Sequence, residues 1–413
     1  MKLKGIRRSL LAASAIVSVG ALAAVEAQAT LGQLLHCTGV SNCGVGGAGG
    51  AMAMDAASAI NNPALAVDVG TEASFSAGWF SADVEATVNG NHGGQHRKLT
   101  SDASNFATGA MAANYRINPD FAVNISAFPS AGGETNYDAS RVASNVQAGA
   151  GTVEQGDSQI RWREMDVQIA TAWRPRKDFA IGFGAIASRT DMKTDALDNT
   201  FASPINGTSS SVDAVYGGGF QLGVTWKATD MLTVGADYRS QVWLSRFSHY
   251  NNTFNGPINR PPTVRLSANF QVSPQTNLLF DALHIEQTAV EAISTDPAAN
   301  GGFGWKNRIA MMVGIQHKID NLSLRFGWSY AESPIEKTHV FANVLLPAVT
   351  EHHFSAGLGC QIFDGMSVGM SAYWAPEVSV TDCGCGDSFS TNNPDTTIEM
   401  GQYGTQLSVN YKF

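Results

Sequence analysis

The chain of 413 residues carries 26 basic and 35 acidic side chains, a formal charge of −9, which gives it no electrostatic draw toward nucleic acid. Only 15% of its residues are charged, against about 25% in ordinary soluble domains, while 42 are glycine and the mean hydropathy is close to zero. Beyond residue 30 there is no uninterrupted apolar run of roughly 18 residues, which argues against a bundle of membrane-spanning helices.

At the N-terminus, Lys2, Lys4, Arg7 and Arg8 precede an apolar stretch from Leu10 to Ala24, and Ala27, Gln28 and Ala29 form a small-residue cleavage site. This order predicts a secretory signal over residues 1–29, with the mature chain starting at Thr30. The apolar stretch is shorter than the roughly 20 residues of a spanning helix. Removing the signal takes four of the 26 basic and one of the 35 acidic residues, leaving 22 against 34 and a formal −12. Export also places the five cysteines in an oxidising compartment. Cys37 and Cys43 are close enough to close a small loop, Cys383 and Cys385 share a Cys-Gly-Cys tip, and Cys360 falls in an alternating segment. An odd count leaves at least one thiol unpaired within the chain. No C-x-x-C pair occurs, so neither a zinc site nor any other metal or cofactor is expected.

From Thr30 to about Gly70 there is no period-two pattern. Gly44 to Gly50 gives way to Ala51–Ile60, a small-residue stretch that predicts a helix. Pro63 disfavours helical geometry at Asn62, so that helix should stop there and a short second one should begin at Pro63 to Leu65. Gly44, Gly46 and Gly49 spell G-x-G-x-x-G, but no strand precedes them and no βαβ unit follows, so a dinucleotide site is not expected. The glycines suit a backbone packed close against another. A compact segment over residues 30–70 ahead of a barrel at 71–413 predicts a plug.

The body then alternates. Apolar residues keep one parity in Tyr216, Phe220, Leu222, Val224, Trp226, in Leu232, Val234, Ala236, Tyr238, and in Val264, Leu266, Ala268, Phe270, Val272. The same holds for Leu322, Leu324, Phe326, Trp328, Tyr330, for Phe354, Ala356, Leu358, Cys360, Ile362, and for Val368, Met370, Ala372, Trp374. Period two predicts strands. None of these faces carries a charge, and Arg or Lys at the midplane of a lipid-facing strand costs about 2–4 kcal/mol. A soluble β-sandwich also alternates, but it has no need of an uncharged outer face on nearly every strand.

Brief turns at Ile117–Asp120, Arg174–Asp178, Lys227–Asp230, Ser273–Thr276, Lys318–Asn321 and Phe363–Gly365 separate longer loops. The loops cover about Ser81–Ser101, Ala131–Ser158, Thr190–Ser211, Leu244–Pro262, Gln287–Gly304, Ala331–Glu351 and Ala375–Gly404. Six turns and seven loops join fourteen strands, with both barrel ends on the short-turn side. The first strand, near Glu72–Phe80, and the ninth, near Asn277–Ile285, alternate poorly. The last is the clearest, with Thr405, Leu407, Val409, Tyr411 and Phe413 on one face and Gln406, Ser408, Asn410 and Lys412 on the other. The predicted fold is all-β: a 14-stranded antiparallel transmembrane barrel in a Gram-negative outer membrane, surrounded by lipid and lipopolysaccharide.

The run GVGGAGGAMAMDAASAINNPALA, with its Asn62-Pro63-Ala64 element, resembles the N-terminal hatch of the FadL/TodX family of outer-membrane transporters for hydrophobic compounds. FGWKNRIAMMVGIQHK at Phe303–Lys318, ESPIEKTHVFANVLLPAV at Glu332–Val349 and EHHFSAGLGCQIFDGMSVGMSAYW at Glu351–Trp374 are similar to that family in the same order. The resemblance implies a hatch that closes a fourteen-stranded barrel, passive uptake of apolar ligands from an external groove, and release through a gap in the third strand. It also implies that Phe413 resembles the terminal signal read by the barrel assembly machinery.

Carried onto this sequence, the gating hatch falls on Asp55, Asn62, Pro63 and Ala64. The lateral gap falls on Phe128, Pro129, Gly132 and Gly133, where Pro129 removes a ladder donor and the glycines weaken pairing; the alternative is that Pro129 simply ends the strand at the rim. Leu244, Phe247, Tyr250 and Phe254 in one loop, with Val340, Phe341, Val344, Leu345 and Leu346 in another, are candidates for the ligand groove or for simple loop packing. Parity places Arg239, Arg265, Arg308 and Arg325 on the inward face, near Asp237 and Asp281, either to meet a ligand carboxylate or to brace the lumen.

Fatty-acid members of the family hold a carboxylate with basic residues, yet Gln287–Gly304 has no Lys or Arg, which keeps neutral hydrocarbons and aromatics open. No G-x-S-x-G or H-E-x-x-H occurs, so no enzyme is expected. His352 and His353 are adjacent, face opposite ways in a strand, and read as rim residues. The expected partner is a hydrophobic small molecule; a general aqueous porin or an adhesin is the alternative.

Overall fold

A computed structural model describes residues 31–88, 97–137, 158–194, 211–250 and 256–413. The signal over 1–29 and the start at Thr30 lie outside the described residues.

Fourteen long strands form the wall: β1 Glu72–Val88, β2 Asn105–Asn118, β3 Phe121–Tyr137, β4 Ser158–Arg176, β5 Phe179–Thr194, β6 Asp213–Lys227 and β7 Leu232–Arg239, then β8 Thr263–Gln271, β9 Thr276–Ile285, β10 Arg308–Ile319, β11 Leu322–Ala331, β12 His352–Phe363, β13 Met366–Thr381 and β14 Thr397–Lys412. Each pairs antiparallel with its neighbour, and β14 pairs with β1 from Thr397↔Thr87 to Lys412↔Glu72, which closes the sheet. Closure joins the last strand to the first, so the sheet has no free terminal strand in lipid, where water cannot satisfy backbone groups. Two short strands sit outside this path: Arg97–Thr100 pairs with the end of β1, and Trp243–Leu244 pairs with β6 at Gly217 and Gly218.

The alternation read from the sequence sorts into two environments. Phe75, Tyr216, Leu222, Val264, Leu266, Phe326, Leu358, Trp374 and Leu407 project outward and exposed, while Asn124, Gln168, Gln221, Ser355 and Gln406 point inward and are buried. The six brief turns lie where expected. Five strands run further than predicted: β1 continues past Phe80 to Val88, β3 past Pro129 to Tyr137, β5 past Thr190 to Thr194 and β13 past Ala375 to Thr381, while β14 already starts at Thr397. Those extensions admit charge on the outer side, as in the ion pair of Glu85 with Lys98. An uncharged outer face is a rule for lipid contact and does not mark where pairing stops.

Residues 31–70 lie against the inward faces. They form helix α1 (Val40–Gly44), helix α2 (Ser58–Asn61) and a 3₁₀ turn over Pro63–Val67, nearly all buried. The predicted helix over Ala51–Ile60 exists only in its last turn. Its amides are taken by other acceptors: Ala56 N donates to Glu72 Oε1 at 3.0 Å and Ser74 Oγ at 3.2 Å, while Met54 N and Asp55 N donate to Ser58 Oγ. Wall contacts thus outcompete the i to i−4 ladder. The predicted stop holds: Asn62 is extended (φ −151°, ψ 113°) and Pro63 opens the next turn. Helix α1 was not anticipated; a Cys37–Cys43 disulfide closes the loop that carries it. Close packing of the glycines is real, since a methyl on Gly327 of β11 would lie 2.1 Å from Gly46 N.

Candidate functional site

Asn62, Pro63 and Ala64 rest on β5, β6 and β7 at positions where the wall has no side chains. A methyl on Gly182 would stand 2.3 Å from Ala64 N, and one on Gly223 would stand 2.1 Å from Asn62 Oδ1. The Asn62 side chain accepts from Ala64 N at 3.0 Å and donates to Gly50 O at 2.8 Å and to Val224 O at 3.1 Å. It joins two parts of the inner segment to the wall. Asp55 is buried and accepts from Ala57 N at 2.9 Å, which shapes the approach to α2.

The wall itself is split between β2 and β3. Their ladder runs from Asn118↔Phe121 to Met111↔Ala127 and ends one residue before Phe128. Beyond it, Asn105–Ala110 pair with β1, whereas Phe128–Tyr137 pair with β4. The β3–β4 register shifts between Pro129 and Ala131, so Ser130 is an extra residue. The bulge reverses the parity of β3: Asn124, Ser126 and Phe128 face inward before it, Thr135 and Tyr137 after it. Pro129 therefore does not end the strand; it stands at a bulge, beside an edge that lacks a wall partner, where its missing N–H costs no ladder bond. The inner segment reaches into the split, with Gly132 N donating to Gln33 O at 2.9 Å and Leu34 bridging Ala131.

Above this level the interior is apolar. One buried cluster joins Phe80, Val84, Phe106, Trp162, Leu244, Phe247, Tyr250, Ile293, Trp305, Phe341, Leu346 and Met400, with Leu345 packed against it. The candidate groove residues Leu244, Phe247, Tyr250, Phe341 and Leu346 are thus interior rather than spread on an open external face, because burying a large apolar side chain gains about 1.5–3 kcal/mol over leaving it wet. Phe254 lies outside the described residues. The loop after β11 is fastened over this cluster by Thr135 Oγ1 donating to Leu345 O at 2.7 Å, Tyr137 OH to Val344 O at 2.9 Å and Trp305 Nε1 to Asn343 Oδ1 at 2.7 Å. A narrow pocket of about 20 Å³ brings Gly132, Gly133, Leu345 and Leu346 together with Trp162 and Trp305. Gap and groove candidates therefore meet in one place.

Residues 20–413 match the family model described as outer membrane protein transport protein (OMPP1/FadL/TodX). The chain belongs to the OMPP1/FadL/TodX family. Among solved structures it resembles a Pseudomonas aeruginosa FadL homologue (16% identity, TM-score 0.66), the P. putida toluene transporter TodX (15%, 0.69) and the Ralstonia pickettii toluene transporter TbuX (16%, 0.64). Each likeness covers 92% of this chain and 99–100% of the other. No curated protein matches. This FadL/TodX member is an outer-membrane transport protein, located in the outer membrane as the family is.

Within this FadL/TodX barrel the four inward arginines are spread over the lumen. Arg265 bridges Asp281 at 2.9 Å and Asp237 at 3.5 Å and donates to Gly47 O at 3.1 Å. Arg239 donates to Ile60 O at 2.7 Å, Arg308 to Glu332 O at 3.2 Å, and Arg325 to Gln316 Oε1 at 2.8 Å. Sequence reading missed Arg260, which pairs with Glu164 at 2.8 Å and Asp166 at 2.7 Å, all three buried. It lies in an irregular loop, where no parity exists to reveal a facing direction. His352 and His353 do face opposite ways, but His353 is buried rather than at the rim, stacked at 4.6 Å on His36 of the inner segment. Cys383 and Cys385 are bonded to each other, and Cys360 is free.

Proposed function

We propose that this protein carries neutral hydrophobic small molecules passively across the outer leaflet, from the apolar chamber through the split between β2 and β3 into the membrane. The single observation that carries the reading is the pocket in which Gly132 and Gly133, where β3 still pairs with β4 but has left β2, share a lining with Leu345, Leu346, Trp162 and Trp305. No Lys or Arg lines that pocket. A carboxylate there would lack the charged partner it needs once out of water, whereas each CH₂ moved from water to the chamber gains about 0.8 kcal/mol. Neutral hydrocarbons or aromatics fit this chemistry better than fatty acids. The relatives described as toluene transporters support the same class.

On this reading residues 30–70 are a hatch that bars the direct route to the periplasm, seated by Asn62, Pro63 and Ala64. A solute that leaves sideways has no need to cross the polar layer of Arg239, Arg265, Asp237 and Asp281. Liposomes reconstituted with the protein should take up toluene faster than empty ones and should not swell in small sugars. Rapid swelling in sugars would mean an aqueous pore and sink the proposal.

A further inference from the structure

The Arg260, Glu164 and Asp166 cluster has no place in the path just described, yet it is the most deeply buried ion network among the described residues. Arg260 has 2% of its side chain exposed and the two acids none. Burying charge is costly, and a buried ion pair is a poor device for stability alone. Its position offers another use. Asp166 stands opposite Phe128 and Glu164 opposite Ala131, so the two carboxylates flank the bulge at Ser130. Ser130 Oγ donates to Glu164 Oε1 at 3.2 Å. From the other side, Val242 N donates to Arg260 O at 3.1 Å and Leu244 N to Asn259 Oδ1 at 2.8 Å, which ties Arg260 to the loop that bears Leu244, Phe247 and Tyr250.

We propose that Arg260 is a positioning residue for the opening: by holding Glu164 and Asp166 it fixes the Ser130 bulge of β3 and couples the chamber loop to the split beside β2. The inference rests on the lateral route proposed above. Two observations converge on it. The acids sit on one inward face of β4, two residues apart, so a single guanidinium spans both. Arg239 lies with its Cζ 5.8 Å from the ring centroid of Phe128, the first residue of β3 beyond the β2 ladder, so a second cation braces the same corner from below.

The test uses the full-length barrel with three variants. Ser130→Ala removes only the hydroxyl. Arg260→Lys keeps the charge. The triple variant Arg260→Met, Glu164→Gln, Asp166→Asn removes the network without stranding a buried charge. Hydrogen exchange is followed in residues 128–137 and, as a reference, in β10 to β12, with toluene uptake measured in parallel and folding checked by heat-modifiable mobility. The triple variant should raise exchange in 128–137 by about tenfold, leave β10 to β12 unchanged and cut uptake; Arg260→Lys should restore most of both. Ser130→Ala should move the same amides in the same direction by a smaller factor, and it decides the matter if the triple variant does not fold. Unchanged exchange in 128–137 in a folded variant overturns the proposal, whatever uptake does. Raised exchange with undiminished uptake upholds the clamp and removes the lateral route instead.

Discussion

Asn62 satisfies three backbone groups from one side chain, on Gly50, Ala64 and Val224. Each such bond is worth about 0.5–1.5 kcal/mol net, and stranding a buried partner costs more. Asn62→Ala is therefore expected to weaken docking of residues 50–67 by about 1–3 kcal/mol, read as faster limited proteolysis there, while heat-modifiable barrel folding is retained. Gly223→Ala should do the same from the wall side, because its methyl would meet Asn62 Oδ1 at 2.1 Å. His36 adds a pH dependence. Burial lowers its pKa from 6.5 to about 3, between His353 and Tyr373, each with a ring centroid 4.6 Å away. The docked form thus stays neutral while the undocked form takes a proton below 6.5, so docking is at full strength above that value and declines as pH falls toward 3. Exchange protection of residues 31–44 should drop between pH 6.5 and 4 in the wild type, and His36→Phe should flatten that part of the profile.

At the scale of elements, β3 does two jobs on either side of Ser130. Below the bulge it is an ordinary wall strand; above it, it leaves β2 and holds the loop after β11 through Thr135 and Tyr137. Deleting Gly132 and Gly133 shortens by two residues the stretch of β3 that has left β2 and keeps the inward and outward parity of Thr135 and Tyr137. Uptake of toluene should fall sharply with the barrel still folded; undiminished uptake would count against a lateral exit. The weak point of β3 was legible in the chain because Pro and Gly act locally on pairing. That the strand would continue, displaced by one residue, was not legible, since the bulge is held by Glu164, 34 residues away. The helix predicted over Ala51–Ile60 failed for a related reason. Propensity is local, but Glu72 and Ser74 of the wall claim the Ala56 amide.

For the whole molecule, the outward face is the strongest constraint. Leu266 is 60% exposed on β8, and Leu266→Arg should destabilise the barrel by about 2–4 kcal/mol if it lies at the bilayer midplane, measured by denaturant titration in lipid vesicles. Just after the terminal strand ends at Lys412, the N–H of Phe413 reaches Thr71 O at 3.0 Å, beside the point where the wall begins. By itself the sequence determined the strand number, the parity of the clearly alternating strands, the short turns and the break at Asn62-Pro63, because all of these follow from period two and from the local stereochemistry of proline and glycine. Only the tertiary structure decided which wall glycines receive the inner segment, that the candidate groove residues would be buried in one apolar cluster, and that Arg260 would meet Glu164 and Asp166. Those depend on contacts between residues far apart in the chain, for which neither spacing nor propensity carries a signal.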